Sequence, residues 1–216
     1  MMQKLLLALS LLLGAQMAAA QDEPYKEGVH YYKINQAPAT NGSDGVEVTE
    51  FFSYLCSHCN TFDPYVENWL KTKPENVKFD RIAVAFGRKA WEMLARGYIT
   101  AEMLGIANES HVPMMDAIWK QGKQFRSVDE LANFYSGFGV DKDSFIANYQ
   151  SFAADSQLRK SQHDVRAFGI AGTPSLVVAR KYRVAGNRDV KDFDAMLKVV
   201  DFLVAKESAA QQVASQ

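Results

Sequence analysis

A chain of 216 residues with 24 basic and 25 acidic side chains has room for one domain, or for one domain carrying a large insertion. So even a charge balance provides no basic field for nucleic acid and no acidic block for cations. Only two cysteines occur, and a core of this size folds without covalent staples, so that pair has no obligatory structural task.

The first twenty residues read as an export signal. Lys4 gives a positive start, Leu5 to Leu13 an apolar stretch of signal length, and Ala18-Ala19-Ala20 the small residues before a cut. The stretch is too short to span a bilayer comfortably. Cleavage after Ala20 leaves 21–216 exported and soluble, in a setting that permits disulfides. Gln21 to Gly28 reads as an unstructured lead-in, His30 to Ile34 as a strand, and Asn35 to Gly45 as a loop marked by Pro38, Asn41-Gly42 and Asp44-Gly45. Val46 to Tyr54 is nearly all apolar or β-favouring, as a central strand covered on both faces requires. From Cys59 to about Lys71, Phe62, Val66, Trp69 and Leu70 recur at helical spacing, and Pro74 follows the end. Val77 to Val84 alternates at its start, so strand, helix and strand form a βαβ unit with a right-handed crossover.

Beyond Phe86-Gly87 the pattern is helical from Lys89 to about Phe168, with breaks at Ser110 to Pro113, Gly122, Gly137 to Asp141 and around Ala154. No fixed period links the segments, which predicts an insertion of short amphipathic helices rather than a repeat array. Its Met and aromatic residues read as core, and His163 and Asp164 as surface. Gly169 to Val178 returns to strand, with Pro174 at its head. Lys181 to Val184 is the hairpin partner across Ala179-Arg180. Asp189 to Ala205 closes the chain as an amphipathic helix capped by Asp189, and Lys206 to Gln216 is expected to fray.

The chemistry lies in Cys56-Ser57-His58-Cys59, where the buried strand hands over to a helix. The first turn of a helix presents unpaired N–H groups and the positive end of the dipole, and both favour a thiolate. Cys56 at the helix start should carry an exposed, acidic sulfur, and Cys59, one turn inside, a shielded one. A zinc site normally needs four ligands, and the four histidines (His30, His58, His111, His163) supply no HxxxH beside a single CxxC. A structural disulfide gains little from closing so short a loop. Inert buried cysteines are the plain alternative, and a redox-active dithiol fits the junction best. Glu50 lies in an apolar strand, where a carboxylate is costly unless partnered; a strand-edge Glu facing water is the alternative.

With the export signal, Glu50-Phe51-Phe52-Ser53 running into the CxxC, His58 as its second middle residue, a helical insertion and Gly172-Thr173-Pro174 before the penultimate strand, the chain resembles the DsbA family of periplasmic thiol oxidoreductases. The resemblance covers nearly all of the chain after residue 20. It implies an α/β protein, a thioredoxin fold with an inserted all-helical domain. The thioredoxin-like unit comprises 21–86 and 169–207, the insertion 87–168, and 208–216 is a flexible tail. It implies that Thr173-Pro174 is cis and holds the Thr173 backbone beside Cys56, ready to pair with an extended substrate by β-augmentation. Glu50 becomes a buried acid near Cys59 that helps to move its proton. His58 becomes a donor or cation beside the thiolate, against the plainer reading of a solvated residue at a helix start.

The implied function is a periplasmic dithiol oxidase that donates the Cys56–Cys59 disulfide to folding exported proteins. It needs no cofactor beyond that disulfide and is reoxidised by a DsbB-type membrane quinone reductase. Two positions depart from the family. Ser57 replaces the usual proline, and Thr173 replaces the valine of enterobacterial members, as in the isomerases DsbC and DsbG. An isomerase or reductase kept reduced, supported by Thr173, is therefore a second reading, and a non-redox binding or chaperone module a third. The isomerases dimerise through a separate N-terminal domain, for which the residues before Val48 are too few, so a monomer is expected. Thr173→Val is expected to make the protein more oxidising.

Overall fold

The computed structural model describes residues 23–35 and 45–214; the expected export signal and most of the loop expected at 35–45 lie outside the described residues. Strand β1 (Tyr32–Lys33) is short, and β2 (Val46–Phe52) is buried along nearly its whole length. Helix α1 (Ser57–Leu70) crosses from β2 to β3 (Val77–Ala83), which lies parallel to β2. That is the expected βαβ unit. On the other side of β2, β4 (Ser175–Val178) runs antiparallel and leads to β5 (Tyr182–Ala185) and then β1, for a sheet order β1-β5-β4-β2-β3. The β4–β5 hairpin turns at Ala179 and Arg180, with φ of 51° and 57°, left-handed values that suit a tight two-residue hairpin but are seldom adopted outside glycine.

Between β3 and β4 come α2 (Lys89–Met103), α3 (Ala107–Trp119), α4 (Val128–Tyr135), α5 (Lys142–Tyr149) and α6 (Phe152–Ala167). The chain closes with α7 (Phe193–Ala214). One sheet face, carrying Val46, Val48, Leu176 and Val184, packs against Phe62 and Val66 of α1 and Met196, Val200 and Leu203 of α7. The opposite face sets Phe51 and Val177 against Phe168 and Ile170. The core of the inserted helices, built on Leu94, Tyr98, Met114, Leu131, Tyr135 and Phe145, is continuous with Phe52, Tyr54, Cys56 and Cys59. The cysteine pair thus lies where sheet and insertion join.

Several local expectations need correction. The break expected at Ser110 to Pro113 falls inside α3, and the chain turns instead at Gly105. Interior proline costs a helix about 3 kcal/mol, and the buried face of Ser110, His111, Met114 and Met115 outweighs it. The break near Ala154 falls at Gln150 and Ser151, where the Ser151 hydroxyl caps α6 by accepting from Ala154. Asp192, not Asp189, accepts from the first turn of α7 through Oδ1 to Ala195 N–H. Asp164 is 2 % exposed, with Lys160 Nζ at 2.7 Å closing over it; His163 is on the surface. The lead-in is ordered from residue 23, since Tyr25 packs edge-on against Phe202 and His30. The expected fray past Ala205 is helix to Ala214, held by polar anchors that an apolar pattern does not reveal. Buried Glu207 meets Lys181, Ser208 accepts from Asn76, and Gln211 donates to the Gly45 carbonyl.

Candidate active site

Helix α1 starts on Cys56, whose extended backbone (φ −95°, ψ 114°) makes it the N-cap. As cap, it turns its sulfur back toward the first helical turn and accepts the Cys59 N–H at 3.4 Å. Behind it, Cys56 N–H donates to the Ser53 carbonyl at 3.0 Å, so strand end and helix start are tied by one turn. Cys56 is 8 % exposed and Cys59 not at all, so the outer cysteine, expected to be exposed, is largely covered as well. The sulfurs lie near disulfide distance. Thr173-Pro174 is cis, and the Thr173 carbonyl oxygen is 3.3 Å from Cys56 Sγ.

The two sulfurs are pushed in opposite directions. Hydrogen bonding from the Cys59 side chain, then from Thr173 and the backbone N–H groups of Cys59 and His58, holds the Cys56 thiol down at about 5 against the opposing effect of burial. Burial, followed by the neighbouring Cys56, pushes the Cys59 thiol up. One sulfur is thus disposed to ionise and the other to keep its proton.

Ser57 and His58 are exposed on the first turn. His58 acts on Cys56 through its backbone N–H, while its side chain lines a groove of about 670 Å³ with Tyr65, Thr173, Pro174, Phe193 and Met196. The Ser57 carbonyl accepts the Thr61 hydroxyl at 3.0 Å.

Glu50 is 2 % exposed. The parallel register sets it opposite Arg81, and Arg81 Nε donates to it at 3.0 Å, so it is a partnered buried acid and not a strand-edge residue facing water. Arg81 also reaches Glu67 at 2.8 Å and Asp63 at 3.7 Å, and His111 Nε2 lies 2.9 Å from Asp63. Burial pushes the Glu50 carboxyl up, Arg81 and then His111 pull it down, and Asp63 adds to the push.

The sequence reading assigned no role to Arg81, Asp63 or His111. Arg81 carried a signal: it has the same strand parity as the inward Val77 and Ala83. Asp63 follows Cys59 by one turn on the buried face of α1. His111 figures in the sequence only as one of four histidines weighed as zinc ligands, although it shares the face of Ala107 and Met114.

Residues 47–198 match the DSBA-like thioredoxin domain. Among curated proteins, the chain is 33 % identical over 209 residues to the thiol:disulfide interchange protein DsbA of Pseudomonas aeruginosa, covering 95 % of each. It is 34 % identical over 203 residues to that of Azotobacter vinelandii, covering 92 % of each. The crystal structure of Pseudomonas aeruginosa DsbA superposes with a TM-score of 0.79 at 32 % identity, over 87 % of this chain and 97 % of that one. The oxidoreductase DsbA of Xylella fastidiosa gives 0.77 at 33 %, over 83 % and 96 %.

Proposed function

The chain belongs to the DsbA family of thiol:disulfide interchange proteins, and on that premise we propose that it is an oxidase, passing its Cys56–Cys59 disulfide to exported proteins as they fold. The contrast between the two sulfurs carries this direction: Cys56 is held at about 5 and Cys59 is pushed up. A reduced form stabilised as a Cys56 thiolate makes the disulfide form the more strongly oxidising.

A substrate thiolate attacks Cys56, the more exposed sulfur, and the electron pair of the Cys56–Cys59 bond leaves on Cys59, which takes up a proton because burial disfavours its anion. The substrate's second thiolate then attacks its own sulfur in the mixed disulfide, and Cys56 departs as the stabilised thiolate. Two electrons pass from the substrate dithiol to the enzyme. Glu50, held by Arg81, is the proton carrier for Cys59. The groove lined by His58, Tyr65, Phe193 and Met196 receives the apolar side chains of an extended substrate, and the backbone at Thr173-Pro174 pairs with it. His58 and Ser57 border the path of approach.

In reoxidation by a DsbB-type membrane quinone reductase, Cys56 attacks the partner's disulfide and Cys59 closes the ring. Export to the periplasm, a monomeric state and a division into 21–86 with 169–207 and an inserted 87–168 complete the reading.

The test is the reduction potential of the pair against glutathione, with thiolate absorbance followed in the same samples. A potential well above that of thioredoxin with a Cys56 midpoint near 5 is expected. A potential near thioredoxin's, about −270 mV, shifts the assignment to a reductase or isomerase, the reading that Thr173 favours. No measurable couple leaves a binding module.

A further inference from the structure

One buried titratable group beneath the cysteines has no part in these steps. His111 is 2 % exposed on α3, and its ring is walled by Phe52, Tyr54 and Tyr98 at centroid distances of 4.9, 5.4 and 6.2 Å. Its Nε2 is 2.9 Å from Asp63 Oδ1, while Nδ1 meets no hydrogen-bonding atom among the described residues. The ring hydrogen therefore belongs on Nε2. On Nδ1 it would bury an N–H without an acceptor and set two lone pairs against each other at Asp63.

That hydrogen bond bears on a competition. One guanidinium, Arg81, faces three carboxylates: Glu50 at 3.0 Å, Glu67 at 2.8 Å and Asp63 at 3.7 Å. In so dry a place a charge that loses its partner is costly, so each acid drawn onto Arg81 weakens the hold on the others. Asp63 is the farthest of the three from Arg81, and His111 is the group that occupies it.

We propose that His111 is a positioning residue for thiol–disulfide exchange: by holding Asp63 it reserves Arg81 for Glu50, and so keeps Glu50 able to accept the Cys59 proton when the reduced pair is reoxidised. The inference rests on the reading of Glu50 as proton carrier. In that step the Cys59 S–H passes its proton to the Glu50 carboxylate and the Cys59 thiolate attacks Cys56 in the mixed disulfide. The Cys56–Cys59 bond forms, the bond to the partner sulfur breaks, and the partner leaves as a thiolate. The charged and titratable groups set around His111 are Asp63 on α1, Glu50 on β2, Tyr98 on α2 and Tyr54 after β2, and Arg81 on β3, with Glu67 beyond it, joins them through Asp63. The electrostatics agree in sign for the competing acid: Asp63 pushes the Glu50 carboxyl up, against the pull of Arg81.

The experiment loads the full-length protein in acid with a Cys56–glutathione mixed disulfide, then follows glutathione release after jumps to a series of pH values. The rate rises with pH as Glu50 ionises. In His111→Leu this limb moves up by about half a pH unit, which slows release about threefold below the midpoint. His111→Gln restores it, because its amide N–H reaches the same Asp63 oxygen. Asp63→Asn moves the limb the opposite way, downward, and keeps the idea testable if the leucine variant does not fold. Glu50→Gln abolishes the limb. A limb unmoved by the His111 and Asp63 substitutions but lost in Glu50→Gln overturns the role of His111 alone, however much its variants lower the melting temperature. A limb that survives Glu50→Gln overturns the proton-carrier reading beneath it.

Discussion

Cys56 and Cys59 stand three positions apart yet have opposite electrostatics because only one of them caps the helix. Cys56 caps α1 and gathers N–H groups around its sulfur; Cys59 is already inside the helix and fully buried. Thr173 adds to the first effect, since its side chain also holds Cys56 down. Removing that hydroxyl in Thr173→Val should raise the Cys56 pKa, destabilise the thiolate of the reduced form and make the protein less oxidising, the reverse of what the family's valine suggested. The glutathione redox equilibrium checks this, and a more oxidising valine variant would show that packing at this position outweighs the hydroxyl. Stability should follow the same thiolate. The folded-state pKa of Cys56, about 5, lies below that of an unfolded cysteine, about 8.5. The extra stability of the reduced protein is therefore full near the upper value and disappears as pH falls through the lower one. Urea unfolding of reduced and oxidised protein should show the reduced form ahead at pH 8, with the gap closing by pH 4.5. A gap independent of pH would mean that the thiolate is not its source.

The elements that could be read from the sequence are those whose signal is local. The apolar run of β2, the helical spacing of Phe62, Val66 and Trp69, and the placement of Cys56 at a helix start all lie within one segment. What escaped depends on partners far along the chain. Arg81 meets Glu50 across 31 positions and His111 meets Asp63 across 48, so no window of local pattern holds both members of either pair. Pro113 reads as a breaker because the burial that overrides it comes from other elements. The end of α7 is a further case: its polar residues look like a tail until Asn76, Lys181 and Gly45 are set beside them. A chain ended at Ala205 should thus lose more than a frayed end. Lost helix and polar anchors together should cost on the order of 1–2 kcal/mol, measured as a lower urea midpoint with little change in m-value. An unchanged midpoint would mean that these contacts only decorate the helix.

At the scale of the molecule, the core of the insertion takes in the ends of β2 and β3 at Phe52 and Ala83, and the cysteines are part of it. Covering a site and holding it in shape are different tasks, and one contact separates them. Trp119, at the end of α3, donates its indole N–H to the Tyr54 carbonyl at 2.9 Å, two residues before Cys56. The same short loop is otherwise held from within, by Leu55 N–H on the Ser53 hydroxyl and Cys56 N–H on the Ser53 carbonyl. If the insertion braces the loop through this bond, Trp119→Phe, which keeps a large ring and removes the donor, should loosen the loop alone. A lost hydrogen bond worth about 1 kcal/mol would speed amide exchange at Leu55 and Cys56 about fivefold, with much smaller changes in β2 and α1. Exchange that quickens throughout α3 instead would assign the ring a packing role. Exchange that does not change would mean that the strand-to-helix turn keeps its own shape and the helices serve only to bury Cys59.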